Sequence, residues 1–130
     1  MAGTSLHAEP ATEATIATVE RFNQAFNTHD VDAIMALMTD DCVFENTTPP
    51  PDGERVVGQA AVRASWEALF HASPQAWFET EEIFAVADRC VVRWRYTWQS
   101  EGDGAGYIRG VDVFKVRDGK VAEKLAYVKG

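Results

Sequence analysis

The sequence has few cysteines, no long apolar run and little positive charge, and each shortage excludes a class of protein. Its two cysteines, Cys42 and Cys90, lie in apolar strand patterns without the spacing of metal ligands. We therefore expect buried, reduced thiols and a cytoplasmic location. No apolar run approaches the roughly 20 residues that a membrane-spanning helix needs. The N-terminus has no basic segment followed by an apolar run, so no signal peptide is predicted.

The charge balance is acidic, with 12 Lys and Arg residues against 20 Asp and Glu residues and a net charge of −8. A domain of this charge repels nucleic acid and anionic membranes, so neither is an expected partner. The three histidines lie in the N-terminal tail, in a loop and at a helix end, and no pair has metal-ligand spacing. We predict no metal and no cofactor.

Helices are predicted in the N-terminal half of the chain and long strands in the C-terminal half. Residues 1–10 have the composition of a disordered tail, and a single domain follows over 11–130. Helical spacing of apolar residues predicts helices at 11–28, 31–38 and 59–71. Strands are predicted at 41–46, 55–57, 76–86 and 89–99. This order is typical of an α+β domain in which three N-terminal helices pack on a curved, mostly antiparallel sheet and enclose a pocket.

A β-hairpin is predicted from Gly106 to Lys129, around the turn Asp118-Gly119. Both turn residue types accept a positive φ, and β-branched residues flank them. We expect Arg117 to pair with Lys120, which fixes the side chains that share a face. In this register the more apolar face carries Ile108, Gly110, Asp112, Phe114, Val116, Val121, Leu125 and Tyr127. The opposite, outer face carries Tyr107, Arg109, Val111, Val113, Lys115, Lys124, Ala126 and Val128.

Asp112 lies in the middle of the apolar face, where an unpaired charge costs too much free energy to be buried. With Leu125 facing it and no Lys or Arg predicted on its face, desolvation predicts a raised pKa. The variant Asp112→Asn is then expected to be as stable as the wild type at neutral pH, or more stable. Asp112 is either a pocket acid or a structural acceptor for the indole N–H of Trp94 or Trp98 or for a tyrosine hydroxyl.

The predicted pocket takes its lining from aromatic and aliphatic side chains. One face of the strand at 89–99 is aromatic, and we expect it to join Asp112 under the helices, although the loop at 100–106 leaves its phase open. The candidate substrate-binding residues are Phe22, Phe26, Phe44, Trp66, Phe70, Trp94, Tyr96, Trp98, Ile108, Leu125 and Tyr127. The aromatic candidates on the predicted helices could alternatively be core residues that do not line the pocket. Glu79 and Glu81 are alternative acids for the pocket if the strands at 76–86 and 89–99 form a simple hairpin around Ala87-Asp88. Otherwise these two residues lie at the solvated rim of the sheet.

Three segments carry a resemblance to a known family: FNTHDVDAIMALMTDDCVFEN, the helix start at Gly58, and RGVDVFKVRDGKVAEKLAYVKG. They resemble the SnoaL-like branch of the nuclear transport factor 2-like and ketosteroid isomerase-like superfamily, over nearly everything from Ala11 onward. The resemblance implies a cone-shaped, cystatin-like roll and a SnoaL-like domain over 11–130. It selects no activity, because this superfamily includes isomerases, cyclases, epoxide hydrolases, transport factors and pure binders.

The resemblance also implies roles for single residues. Asp112 takes the position of the oxyanion-hole Asp of ketosteroid isomerase, whereas Asn46 and Phe22 stand where that enzyme has its Asp base and helix Tyr. The base of SnoaL-type polyketide cyclases falls at or beside Ala126. Asn46 matches an Asn that helps to hold water in limonene epoxide hydrolase, and its alternative is a cap of the Pro-rich loop. The candidate catalytic residues are therefore Asp112 and Asn46.

Three functions remain open. The first is a cofactor-independent isomerase, polyketide cyclase-like or epoxide hydrolase-like enzyme for a small apolar carbonyl, enol or epoxide compound. In it, Asp112 serves as acid, base or oxyanion partner, and Asn46 positions the substrate or a water. The second is a non-catalytic ligand-binding pocket, and the third is a dimerising structural domain. A homodimer is expected because the outer face of the long strands is too apolar to remain wholly exposed. That face carries Val91, Arg93, Arg95, Thr97, Val111 and Val113.

Overall fold

The structure is a computed structural model that describes residues 10–100 and 104–130, with the backbone alone at 99 and 100. The helices are α1 (Pro10–Asn27), α2 (Val31–Ala36) and α3 (Gln59–Ala72). The strands are β1 (Met38–Glu45), β2 (Arg55–Val57), β3 (Trp77–Val86), β4 (Arg89–Ser100), β5 (Gly104–Arg117) and β6 (Lys120–Val128). Most of the predicted tail and the centre of the predicted 100–106 loop lie outside the described residues, and Pro10 already belongs to α1.

Within the described residues, six strands form one sheet in the order β2-β1-β6-β5-β4-β3. Neighbouring strands are antiparallel except β1 and β6, which run parallel. Strands β3 to β6 form a meander, and β1 joins its β6 edge and carries β2 outside it. The predicted α+β class, with three helices and a curved, mostly antiparallel sheet, is confirmed. No helix in the described part of the chain is long and apolar enough to cross a membrane.

Helix α1 lies on the inner face of the sheet and is attached to β3 near both of its ends. Val19, Phe22 and Phe26 recur at helical spacing and are buried against the sheet. At the N-terminal end, the Thr15 hydroxyl donates to the carbonyl of Ala87, in the β3–β4 turn, at 2.6 Å. At the C-terminal end, the side-chain amide of Asn27 donates to the Phe78 carbonyl at 2.8 Å and accepts from the Phe78 N–H at 2.9 Å. The helix therefore has a fixed position over β3.

Helix α2 is shorter than predicted, and β1 begins earlier. Asp30 caps the helix as expected, because its carboxylate accepts from the N–H of Ala33 at 3.1 Å. The helix ends at Ala36 because β6 then takes over the backbone hydrogen bonds: the N–H of Val121 donates to the Leu37 carbonyl at 2.7 Å. Pairing with a distant strand thus overrides the helical periodicity at residues 37 and 38.

A single cluster of buried apolar side chains fills the space between the helices and the inner face of the sheet. Burial of each large side chain contributes about 1.5–3 kcal/mol, so this cluster is the main stabilising feature of the fold. Cys42 and Cys90 belong to it as free thiols, which confirms the prediction of buried cysteines. Burial raises the pKa of both thiols, that of Cys90 to about 11.

The β5–β6 hairpin has the predicted turn but not the predicted register beyond it. Arg117 pairs with Lys120, and Asp118 and Gly119 both have positive φ, at 54° and 73°. A β-bulge then places Lys115 opposite Glu123, so the pairing is shifted by one residue from there on.

This one-residue shift exchanges the two faces of β6. Asp112 pairs with Ala126 instead of the predicted Leu125. Lys124 and Ala126 therefore move to the inner face, and the predicted pocket residues Leu125 and Tyr127 move to the outer face. The expectation that no Lys or Arg shares the face of Asp112 was wrong for this reason.

Strand β4 has the phase that brings its aromatic face to the inner side. Trp94 pairs with Gly110 and Tyr96 with Ile108. Gly110 is needed for this contact, because a Cβ built there would lie 2.6 Å from the Trp94 ring and 2.2 Å from the Tyr127 carbonyl oxygen. The close approach of the Trp94 indole to the β5 backbone thus depends on glycine, which has no side chain, at position 110.

The outer face of the sheet carries exposed ion pairs. Arg93 pairs with Glu82 at 3.0 Å, and Arg109 pairs with Glu81 at 3.1 Å. A bulge in β3 between Thr80 and Glu82 interrupts the alternation there. Glu79 and Glu81 are exposed, so neither is an alternative acid for the pocket.

Candidate functional site

A cavity of about 260 Å³ lies between the inner face of the sheet, helices α1 and α3, and the loop after β1. Most of its lining is apolar. The apolar lining residues are Phe26, Phe44, Trp66, Leu69, Phe78, Trp94, Tyr96, Ile108 and Ala126. The polar lining residues are Asn46, Thr47, Thr48, Asp112 and Lys124. An apolar cavity with a few convergent polar groups is the usual form of a small-molecule site.

Asp112 and Lys124 form a buried ion pair in this lining. Asp112 is on β5 and points inward, and the bulge brings Lys124 of β6 to the same face. The distance from Lys124 Nζ to Asp112 Oδ2 is 3.3 Å, and the two side chains are 7% and 5% exposed, with lysine first. A charge that is removed from water to this extent needs a partner, so each residue sets the energetics of the other.

Lys124 is surrounded by aromatic rings as well. Its Nζ lies 5.2–5.4 Å from the ring centroids of Phe44, Phe26 and Trp66 and 5.9 Å from that of Phe78. We call these four residues the aromatic cage. Rings at this distance attract a cation through their negative faces. The cage therefore provides part of the stabilisation that water would otherwise give the ammonium group.

Burial raises the pKa of Asp112, and the opposing effects are smaller. Desolvation is the largest contribution, and the charge of Lys124 and its contact with the carboxylate lower the pKa in part. The indole of Trp94 also lowers the pKa of Asp112. Neither the indole Nε1 of Trp94 nor Oδ1 of Asp112 has a hydrogen bond of normal geometry within the described residues. The predicted rise in the pKa of Asp112 is confirmed. The opposing cation, Lys124, was predicted on the outer face and lies on the inner one.

Three buried polar atoms near the cavity have no hydrogen-bond partner in the described part of the protein. They are Oδ1 of Asp112 and the indole Nε1 atoms of Trp66 and Trp94. Buried polar groups are nearly always hydrogen-bonded, and each exception calls for an explanation. The Trp94 indole and the Asp112 carboxylate are complementary donor and acceptor and interact with each other, whereas an acceptor on a bound molecule would satisfy the Trp66 indole.

Asn46 follows β1 directly and holds the loop that lines the cavity. Its Oδ1 accepts from the N–H of Thr47 at 2.7 Å, and its own N–H donates to the Glu54 carbonyl at 2.8 Å. Gly53 is required beside it, because φ is +74° and a Cβ there would lie 1.7 Å from the Asn46 carbonyl oxygen. Asn46 thus caps the loop, as one of its two alternatives predicts, and its side chain also lies in the cavity lining.

The structure brings eight of the predicted site residues to the cavity and leaves five outside its lining. Lining it are Phe26, Phe44, Asn46, Trp66, Trp94, Tyr96, Ile108 and Asp112. Outside it are Phe22, Phe70, Trp98, Leu125 and Tyr127. Phe22 packs on Phe114 in the core, with ring centroids 5.7 Å apart. Phe70 lies between Phe26 and His29, and Trp98 lies beyond Tyr96 along β4.

Lys124 and Phe78 are the main lining residues that sequence reasoning missed. One sequence signal for Lys124 is the consecutive apolar pair Val121 and Ala122, both of which are buried in the structure. Two neighbours in a strand are buried on one side only where a bulge interrupts the alternation. Within residues 10–100 and 104–130, no group of three or more His, Cys, Asp or Glu side chains could hold a metal ion.

Comparisons with known proteins agree with this architecture. The family model described as a SnoaL-like domain matches residues 19–124. No curated protein matches the chain. An NTF2-like protein of unknown function from Mesorhizobium loti is 40% identical, with a TM-score of 0.77, over 92% of this chain and 93% of that one.

Two more distant structures share the fold. A protein from Jannaschia sp. CCS1, provisionally assigned as a SnoaL-like polyketide cyclase, is 21% identical with a TM-score of 0.78, over 92% of this chain and 88% of that chain. Another from Kribbella flavida, provisionally assigned as a ketosteroid isomerase, is 20% identical with a TM-score of 0.77, over 92% and 80%. At such identities the likeness concerns the fold alone. Since the family match spans residues 19–124, this chain belongs to the SnoaL-like domain family.

Proposed function

We propose that the protein binds a small, largely apolar carbonyl or enol compound in the cavity and transfers a proton on it. Asp112 acts as the acid or base, and Lys124 donates to the substrate oxygen. The observation that carries this proposal is the buried Asp112–Lys124 pair in the lining of an otherwise apolar cavity. Isomerase and cyclase assignments among structures of the same fold support the reaction class.

The chemistry follows from the two groups of the pair. A raised pKa brings the Asp112 carboxyl closer to neutral pH, where a group can both take up and release a proton. When a base removes a proton next to a carbonyl, negative charge develops on the oxygen. An ammonium group held in a dry site stabilises that charge without reorganising solvent.

The cavity limits the size of the substrate. Its volume of about 260 Å³ is below the range of about 300–1,000 Å³ that is typical of pockets for drug-sized ligands. Aromatic side chains form much of the lining, so a compound with one ring and one oxygen function fits the chemistry better than a charged or sugar-like molecule.

Deuterium exchange into acetophenone tests the proposal. We expect the wild-type protein to accelerate exchange of the methyl protons next to the carbonyl, followed by NMR in D₂O. Asp112→Asn should lose about 10²–10⁴-fold of the catalysed rate, which is the usual contribution of a positioned acid or base. The exposed Asp40→Asn is the matched control and should retain the rate. Absence of any acceleration by the wild type would refute the catalytic part.

A non-catalytic binding pocket is the second candidate function. It is favoured by the fact that the Asn46 Oδ1 is already used within its loop and that Asp112 is held by Lys124. Under this alternative, acetophenone raises the melting temperature by mass action, while its methyl protons exchange no faster than in buffer.

We also propose that the outer face of the sheet pairs with a second copy of the chain. The register shift adds Leu125 and Tyr127 to this face, and Tyr127, Tyr107 and Phe84 are 54%, 51% and 51% exposed. Exposed apolar groups of this size mark contact surfaces when they form one patch. Light scattering at micromolar concentration should give a dimer, and Val113→Lys a monomer. The control Asp52→Lys, in the exposed Pro-rich loop, should leave the mass unchanged.

A further inference from the structure

Lys124 presents a primary amine to the cavity in an unusual setting. Its one charged partner within the described residues is Asp112, and the four ring centroids of the aromatic cage lie 5.2–5.9 Å from Nζ. The chain has four lysines, of which Lys115, Lys120 and Lys129 are half-buried or exposed to solvent. Only Lys124, whose side chain is 7% exposed, lines the cavity.

We propose that Lys124 forms a Schiff base with a small apolar aldehyde or ketone bound in the cavity. This inference rests on the proposed function in one respect, which is that the cavity accepts carbonyl compounds. It goes beyond proton transfer, because it assigns a covalent bond to a residue that otherwise serves as a hydrogen-bond donor. Lysines enclosed by apolar side chains are the ones that proteins use for this bond.

Asp112 is placed to move the protons that the reaction needs. The ammonium group of Lys124 first gives one proton to the Asp112 carboxylate 3.3 Å away, which leaves a neutral amine and a carboxylic acid. The raised pKa of Asp112 makes its carboxylate a better acceptor for that proton. The transfer is internal to the pair, so the net charge of the cavity does not change.

The bond changes then balance without a further reactant. The nitrogen lone pair attacks the carbonyl carbon, the C=O π electrons move to oxygen, and a proton shifts from nitrogen to that oxygen to give a carbinolamine. Asp112 gives its proton to the hydroxyl, the C–O bond breaks, and water leaves as the nitrogen lone pair forms the C=N bond. The products are an iminium cation, a carboxylate and one water, formed from an ammonium, a carboxylate and a carbonyl.

The surroundings suit the product as well as the starting state. The iminium nitrogen carries the same positive charge as the ammonium that it replaces, beside the same carboxylate. The aromatic cage attracts both cations by the same interaction. Its rings also keep water away from the C=N bond, which slows the reverse hydrolysis.

Benzaldehyde with sodium cyanoborohydride tests the inference on the full chain. The hydride reduces an iminium to a stable benzyl-lysine, and peptide mass mapping locates it among the four lysines. Benzaldehyde has no proton next to its carbonyl, so the result does not depend on proton transfer. We expect Lys124 to be labelled at least about tenfold faster than any exposed lysine, because the bound aldehyde is held beside it.

Two matched variants and a competitor complete the experiment. Lys124→Arg should remove the fast adduct, and Lys120→Arg, at an exposed position, should retain it. Benzyl alcohol has the same ring with a hydroxyl group in place of the aldehyde and forms no Schiff base, so it should protect Lys124 of the wild type from labelling. This competition decides the question even if Lys124→Arg fails to fold.

The outcomes separate the two proposals. If benzyl alcohol raises the melting temperature but Lys124 is labelled no faster than Lys120, the covalent role is refuted and the binding cavity stands. If neither benzyl alcohol nor benzaldehyde raises the melting temperature and labelling is uniform, the carbonyl-binding cavity is refuted and the Schiff base falls with it.

Discussion

Two ion pairs start from neighbouring residues of β6 and lie on opposite faces of the sheet. Glu123, on the outer face, pairs with Arg89 at 3.1 Å, and these side chains are 29% and 46% exposed. Lys124, on the inner face, pairs with Asp112 at 3.3 Å, and these side chains are at most 7% exposed. The distances are nearly equal, but the energetics differ because only the inner pair has lost its water.

The distance between two charges therefore says little about how much an ion pair contributes to the free energy of unfolding. An exposed pair adds about 0–1 kcal/mol to stability and is replaceable. A buried pair has a desolvation cost that its mutual attraction only partly offsets, as the raised pKa of Asp112 indicates. We therefore expect the inner pair to be present for function rather than for stability.

The largest effect should come from removing both inner charges. We expect Asp112→Asn combined with Lys124→Met, which nearly conserves volume, to raise the free energy of unfolding by about 1–4 kcal/mol at neutral pH. Urea denaturation measures this. The outer control, Glu82→Gln with Arg93→Met, should change stability by less than about 1 kcal/mol. A clear loss of stability in the inner double variant would show that the buried pair stabilises the fold.

The next effect concerns the packing that keeps the inner pair dry. Gly110→Ala should lower the free energy of unfolding by about 1–3 kcal/mol, because its Cβ would overlap the Trp94 ring and the Tyr127 carbonyl. Thermal unfolding measures the change, and tryptophan fluorescence reports displacement of the indole. Gly130→Ala is the control, since among the described residues no atom beyond its chain neighbour lies within 4 Å of a Cβ there. A fully stable Gly110→Ala would mean that Trp94 has room to move.

The pH dependence of stability in the single variant Asp112→Asn tests whether desolvation of the inner carboxylate outweighs its attraction to Lys124. A carboxyl with a raised folded-state pKa gives stability that is fully present below its unfolded pKa of about 3.9 and is lost as pH rises through the folded value. Wild type and Asp112→Asn should therefore be similar in acid, and the variant should gain relative stability towards neutral pH. Urea titrations at several pH values measure this.

The reverse trend would overturn that expectation. If Asp112→Asn lost stability relative to the wild type as pH rose, the attraction to Lys124 would exceed the desolvation of the carboxylate. Asp112 would then be an ionised structural anchor, and the acid–base proposal would lose its main residue.

The smallest effect is expected on the outer face. Glu123→Gln should change the free energy of unfolding by less than about 1 kcal/mol, because Arg89 remains solvated when its partner is removed. The change should shrink further at high salt, where exposed charges are screened. Urea unfolding at low and high salt tests this, and a cost that is large and independent of salt would contradict the proposed difference between the faces.

The features of the fold that depend on local chemistry could be predicted from the sequence. The spacing of Val19, Phe22 and Phe26 predicts α1, and Asp118-Gly119 predicts the turn between β5 and β6. The alternation along β4 predicts that its aromatic side chains share one face, although it does not predict the phase of that face relative to the hairpin. These features depend on residues that lie close together in the chain, so periodicity and turn chemistry specify them.

The site was predictable only in part, because one bulge decides half of it. Asp112 was identified from its position in an apolar strand face. Its partner Lys124 was not, since the register beyond Lys115 follows from how β6 packs against β1 and the helices. A strand register is specified by burial of one whole face, and a single extra residue reverses the outcome for every side chain that follows.

The parallel pairing of β1 with β6 has a consequence for how the chain is made. On the ribosome, α1, α2 and β1 emerge well before β6, which is the last of the described elements. The nascent chain must therefore hold Cys42, Phe44 and the apolar side of α1 without the strand that completes their sheet. Such unfinished surfaces are what chaperones bind and what aggregates. The domain closes only once β6 has left the ribosome, so its yield in cells should be sensitive to pauses in translation between β1 and β6.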